Sequence, residues 1–514
     1  MAWFQVGTKL LVSGPAGPRD RTGIWILPVA GGMLKKLQGD ARGAVLSPDN
    51  SQIAFLRSSV QEIWLMNASG EGVRRLLVAP SGYGFTEKLA WSPDSQRIAF
   101  EPTKRVGSEV MIQSYDLKTG QTTTIVSDPQ LEDFCWARNG RVLYSRRENS
   151  PNQRSSNLWE ISVDSRTARV RGKPRRLTDW SDFNFGSLAV SADGKRLSFV
   201  RGSFRSSLYV AELIGQAGLT KLRRLTFDEW LDWPTGWTRD SKAVLYHSDR
   251  NGLLDIFQQA LTAQEPQAIL AGQDEMTDPR PSPDGRWILY QAWRRGAGGN
   301  RTGEGRLMRL ATATGTNQMV FPIAGYTGEA ADEQFAKRPI PAAEGNPRFR
   351  CPSAPQFPCV LSEKVENQIV FTAFDPLQGR KGELTRIDVE RSSPAFWDLS
   401  SDGRWIAFGT TAESSGRIRL LSPAGQPARE ISAGSWNNLT SVAWAADGKT
   451  LFVTGWASKN APLLRVSLDG KTQLLYSGRY YLEDPVPSPD GRHLAFGDAA
   501  FEGNAWLIER PGNR

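Results

Sequence analysis

The segment QIAFL at 52–56 alternates its side chains between two faces, yet both faces are apolar: Ile53 and Phe55 point one way, Ala54 and Leu56 the other. A sheet wet on one side would alternate apolar with polar residues. A strand of this kind is covered on both faces. Nearly the same phrase returns as RIAFE (97–101), RLSFV (196–200), WILYQ (287–291), WIAFG (405–409) and HLAFG (493–497). Each copy follows a turn such as SPDN, SPDS, SADG or SPDG. Pro presets φ in such a turn, Asp can bond the nearby backbone, and Gly, Asn or Ser follows where φ is positive.

The third turn residues are Asp49, Asp94, Asn139, Asp193, Asp240, Asp284, Asp402, Asp447 and Asp490. Most gaps between them are 43–47 residues, one is 54, and one, from Asp284 to Asp402, is 118. The long gap has room for two units plus an insertion, and a weaker unit fits there at VENQIVFTAFD (365–375). Another unit opens the chain at WFQVGTKLLVSG (3–14). After each turn a third strand is expected, as in GIWIL (23–27), EIWLM (62–66), NLWEI (157–161) and NAWLI (504–508). A fourth often follows, as in VRRLL (73–77), PRRLT (174–178) and LRRLT (222–226). Trp25, Trp64, Trp159 and Trp506 share the third-strand slot and are expected between blades. No long segment has helical spacing of apolar residues.

Four short strands at a period near 45 describe a propeller blade. The expected fold class is therefore all-β: tandem β-propellers built from about eleven four-stranded blades, more than the roughly four to eight of one ring. The Gly-, Pro- and Ala-rich stretch 322–348 has no strand pattern and reads as a linker or long loop. That places a first propeller of about seven units at 1–321 and a second, incomplete one of about four at 349–514.

The phrase SPDG-x-x-IAF, the aromatic third strand and the following RRLT together resemble the WD40-like (PD40) repeats of the TolB-like family. Asp49, Asp94, Asp193, Asp284, Asp402, Asp447 and Asp490 stand at the motif's Asp, and SDRNGLLDIF (248–257) matches a further phrase of that family. The resemblance covers nearly the whole chain apart from 322–348. It implies a PD40 propeller that serves as a sensing or interaction module, often outside the cytoplasm. Such propellers also follow bacterial membrane serine/threonine kinases and winged-helix regulators. This chain has no Gly-rich loop with its lysine, no His-Arg-Asp and no Asp-Phe-Gly.

Net charge is +9, and RTARVRGKPRR (166–176) holds six cationic residues among eleven and no acidic one. A solvated strand and loop accounts for this; a patch for an acidic partner is the sharper reading. The segment lacks aromatic platforms for bases, which argues against nucleic acid. Cys351 and Cys359 bracket the Pro-rich loop CPSAPQFPC, either as a local disulfide or as two reduced thiols, and Cys135 reads as a small core residue. No apolar run approaches the ~18 residues of a membrane helix.

Catalysis finds little support. The chain has two histidines, His247 and His493, and no Gly-x-Ser-x-Gly elbow. The regular spacing of the turn aspartates, Asp240 included, argues for one backbone task repeated, whereas general acid/base work needs a converging pair. The expectation is a non-catalytic scaffold for protein interaction or ligand sensing, with no cofactor and no metal. Its partner would be a protein or a small ligand. The alternatives are the sensor part of a kinase or regulator, and a propeller hydrolase or lyase with a carboxylate-lined metal site. Candidate contacts are Trp230, Trp233 and Trp237 in FDEWLDWPTGW, His247, and Arg294 and Arg295, taken from the irregular segments 228–237, 294–306 and 322–350. For the tryptophans, core packing is the plainer reading and an exposed aromatic edge the functional one.

Overall fold

The computed structural model describes residues 2–509 apart from 5–6, 15–21, 58–59, 82, 105–109, 149–155, 181–183, 192, 216–217, 228–229, 296–300, 325–346, 390–393, 412–415, 457–459 and 483. Among the described residues there are only strands and turns. The strands form nine four-stranded antiparallel sheets and one six-stranded sheet. The larger sheet contains two long strands, Arg196–Ile214 and His493–Glu509. The chain divides into two compact units, 1–203 with 503–514, and 204–502, so each long strand passes from one unit to the other. Counted by unit, the sheet gives a blade to each, which makes eleven blades.

The turns explain why the phrase repeats. Asp49 Oδ1 accepts from the Ser47 hydroxyl at 2.6 Å and from the Ser51 N–H at 3.0 Å, while Ser47 Oγ accepts the Gln52 N–H at 2.9 Å. The same set recurs at Ser282–Asp284, Ser400–Asp402 and Ser488–Asp490. Thr238 takes the serine's part beside Asp240, and at Asp447, where Ala445 stands for the serine, the Lys449 N–H contact remains. The residue after the aspartate is left-handed, as at Asn50 (φ 60°) and Gly491 (φ 70°), which is why Asn, Ser and Gly fill it. The strand that leaves each turn is covered on both sides: Ile53, Ala54, Phe55 and Leu56 have no exposed surface.

Unit 1 has five blades. Four are continuous, at 2–39, 41–78, 83–127 and 131–176. The fifth combines Asn184–Val190 with the unit's shares of the two long strands. Neighbouring blades are joined by apolar layers; Ala54, Leu56 and Leu65 of the second meet Leu89, Trp91 and Ile98 of the third.

Unit 2 has six blades, at 232–270, 275–324, 348–388, 395–432, 439–478 and a composite sixth. In the sixth, Tyr481–Leu482 and Val486–Pro487 pair with His493–Glu509, which pairs with Arg196–Ile214, which pairs with Gly218–Arg224. Leu213 donates its N–H to the Arg492 carbonyl at 2.8 Å, and the Tyr209 ring stacks on Phe496. Six apolar layers join these six blades. The layer of Leu208, Val210, Trp237, Tyr246 and Val486 joins sixth to first, and that of Phe452, Leu463, Leu482 and Phe496 joins fifth to sixth. The ring is therefore closed, by strands from distant parts of the chain.

This division differs from the one the linker suggests at 1–321 and 349–514. The ends of the stretch 322–348 are strand, 322–324 in one blade and 348 in the next, and these two blades are neighbours in one ring: Leu289, Trp293 and Phe321 pack directly on Phe349, Leu361 and Phe374. The third-strand tryptophans meet expectation in part: Trp64 and Trp159 pack against the layers between blades. Trp25, Trp64 and Trp159 are half-buried and Trp506 is exposed, and cations cover their rings, as Arg57 does over Trp64 at 4.5 Å. Tryptophans of the first strands are buried deeper in the layers: Trp91 is 5% exposed, and its indole donates to the Val45 carbonyl of the preceding blade at 3.1 Å.

Cys351 and Cys359 are joined in a disulfide. Cys135 is free and buried, and burial pushes its thiol pKa up. The basic segment ends in Val170–Arg176, an outermost strand exposed throughout. Arg175 pairs with Glu160 and Arg176 with Glu148. Unit 1 holds 30 Lys and Arg against 20 Asp and Glu, unit 2 33 against 34, so the chain's positive excess belongs to unit 1.

Candidate functional site: the ion cluster at the axis of unit 2

The first strand of each blade lines the axis of a closed ring. In unit 2 these strands carry charges where most repeats carry small apolar residues. Two positions before the turn Ser or Thr stand Val45, Ala90, Ala189, Gly236 and Val486, but also Arg280 and Asp398. Asp278 lies on the same strand as Arg280, Glu275–Pro281; Arg348 and Arg350 lie on Arg348–Arg350; Asp398 lies on Ala395–Leu399. Asp484 sits in the bend between the two short strands of the sixth blade.

These groups converge. Arg280 Nε donates to Asp278 Oδ1 at 2.9 Å. Arg350 Nε donates to Asp398 Oδ1 at 2.8 Å, and an Arg350 terminal nitrogen lies 3.6 Å from Asp278 Oδ2. The other oxygen of Asp398 accepts the Trp444 N–H at 2.8 Å. Arg348 reaches Asp484 at 3.6 Å, long for a hydrogen bond. Three guanidiniums thus share three carboxylates. Burial opposes charge on Asp278, yet the guanidiniums of Arg280, Arg350 and Arg348 outweigh it and hold the carboxyl below its usual range. Burial lowers Arg280, as does its like-charged neighbour Arg350. Burial also opposes the Arg350 charge, but Asp278, Asp398 and Asp484 raise its pKa.

The candidate contacts read from the sequence are placed apart from one another. Trp230 is half-buried. Trp233 and Trp237 are 7% and 2% exposed and form no aromatic edge. Trp233 stacks on His247 with centroids 5.1 Å apart, and the Trp237 indole donates to the Val486 carbonyl at 2.8 Å, so core packing claims both. His247 is buried, and its Nδ1 accepts the Asp278 N–H at 3.4 Å, so it supports the strand bearing the cluster. Arg294 is exposed, 3.8 Å from Glu304, on a cavity of about 550 Å³ also lined by Arg306, Met319, Ile323 and Arg380. The Arg295 side chain, and 228–229, 296–300 and 325–346 of the irregular segments, lie outside the described residues.

Three solved structures are similar in fold. TolB from Acinetobacter baumannii is 14% identical, with 75% of this chain and 82% of that chain covered at a TM-score of 0.24. An oligogalacturonate lyase in complex with manganese is 14% identical, covering 75% and 87% at 0.31. The β-propeller domain of the Trilobed protease from Pyrococcus furiosus, described as having an open velcro topology, is 16% identical, covering 60% and 92% at 0.28. At these identities the likeness extends to fold alone. No protein-family model and no curated protein matches the chain.

Proposed function

We propose that this chain is a non-catalytic β-propeller scaffold that binds a protein or a small ligand, with unit 2 presenting the binding surface. The observation that supports this reading is how the axial carboxylates are used. Both oxygens of Asp398 accept hydrogen bonds, and Asp278 lies between two guanidiniums that keep it ionised. A general acid or base works best when it titrates near the working pH, and the guanidiniums around Asp278 hold its carboxyl below the usual carboxylate range. Their arrangement instead makes a stiff, charged floor to the ring, suited to recognition. The test is to incubate the full chain with a ligand library, isolate what it retains, and identify it by mass spectrometry. Ligands recovered chemically unchanged are expected. Recovery of cleaved or eliminated products, with turnover, would sink the reading and favour an enzyme.

A further inference from the structure

We propose that the axial cluster of unit 2 is a receptor site for one carboxylate group, carried either by a partner chain or by a free small acid. This inference rests on the scaffold reading and names the chemistry that the scaffold would recognise. The cluster balances in charge but not in hydrogen bonding. Asp398 has both oxygens occupied, and Asp278 is shared between Arg280 and Arg350. The guanidiniums retain donors: Arg348 Nε is buried without a partner, in a residue 8% exposed. Five N–H groups per guanidinium exceed what these three carboxylates take.

Geometry gives the donors a direction. Arg348 and Arg350 stand two residues apart on one strand, so they share a face. Asp278, held by Arg280, lies within 3.6 Å of Arg350, which brings the third guanidinium to the same place. The side that opens to solvent is that of Asp484, whose side chain is 34% exposed while that of Arg348 is 10% exposed. Asp484 approaches Arg348 without forming a hydrogen bond, as a resident carboxylate that an incoming one displaces. An incoming carboxylate meets a planar fork of donors, the geometry that guanidinium recognises in two parallel bonds.

The test uses the full chain, with acetate as probe, in a low-salt buffer free of other carboxylates, read by saturation-transfer NMR. Saturable acetate binding is expected. Asp484→Asn removes the competing carboxylate and is expected to tighten acetate at least ~5-fold. Arg348→Met is expected to weaken it at least ~10-fold, about the value of one charge-assisted hydrogen bond, while Lys449→Met, on an exposed turn, leaves it unchanged. A short peptide with a free C-terminal carboxylate and its amide distinguish the sources. Tighter binding by the free-acid peptide than by acetate points to a partner chain, and equal binding points to a small acid. No saturable binding, or no tightening in a folded Asp484→Asn protein, overturns the site. Asp484→Asn decides alone should Arg348→Met not fold. Either failure leaves the scaffold reading standing, since that reading falls on ligand turnover.

Discussion

Asp490 and Asp498 lie eight residues apart on the composite blade, and their environments drive them in opposite directions. Burial raises Asp490 somewhat, but the Ser488 hydroxyl and the Arg492 N–H outweigh it and its pKa falls below the ordinary value. Asp49, Asp240 and Asp284 shift the same way. A depressed folded pKa contributes stability that is present above the unfolded value, near 4, and lost as pH falls through the folded one. Melting temperature should therefore drop steeply on acidification below about pH 4. Asp498 is raised, mainly by burial, despite the Tyr476 hydroxyl that donates to it at 2.8 Å. Its stabilising contribution is present below the ordinary range and lost as pH rises through the raised value. Asp498→Asn keeps the acceptor for Tyr476 and removes that loss. The variant should melt a few degrees above the parent at about pH 7 and together with it near pH 4; a gap that is constant with pH would refute the assignment. The turn aspartates were legible in the sequence because one backbone task is written many times. The axial charges were not, because Arg280, Asp398 and Arg348 each occur once, and the contacts Arg350–Asp398, Arg350–Asp278 and Arg348–Asp484 that bring them together run between blades. Their one local trace is a charge at a slot that other repeats fill with Val, Ala or Gly.

The first strands set how firmly blades attach to one another. Trp237 and Trp444 occupy the last position of the first strands of their blades and are 2% and 4% exposed. The Trp237 indole donates across to the Val486 carbonyl, on the sixth blade, whereas the Trp444 Nε1 is buried without an acceptor. Phenylalanine at either place keeps an aromatic ring and removes the indole N–H. Trp237→Phe loses a bond between blades and should cost about 1–2 kcal/mol more than Trp444→Phe, where an unsatisfied donor disappears. Urea titration of the two variants measures the difference, and equal costs would show that the bond to Val486 carries no net weight. The two-faced strands and the eleven repeats could be read directly, since period and pattern are local. Which tryptophans fill the layers could not. Third-strand Trp64 and first-strand Trp91 both sit in apolar phrases, and only packing separates a half-buried ring at the edge of its layer, covered by Arg57, from one buried against the preceding blade.

The whole molecule is organised by two long strands, and that arrangement has a thermal signature. Linear repeat counting assigns blades to rings in chain order and so puts the break at 322–348, where the sequence has no strand pattern. The actual unit 2 closes by joining residues 204–224 to residues 481–502, a pairing that sequence separation hides. Two compact units are expected to unfold in two calorimetric transitions. The Cys351–Cys359 bond lies wholly in unit 2 and closes a short loop, with a sequence separation of 8. Reduction should lower one transition by about 2–3 kcal/mol and so identify it as that of unit 2. Removing residues 488–514 then separates the units' dependence on closure. Unit 2 would lose the strand between Val486–Pro487 and Arg196–Ile214, opening both layers that flank its sixth blade. Unit 1 would lose one strand of its fifth blade, with the apolar layers among its four continuous blades intact. The disulfide-sensitive transition should therefore disappear or fall far, while the other moves much less. Equal shifts in both transitions would mean that ring closure is not what holds unit 2 together.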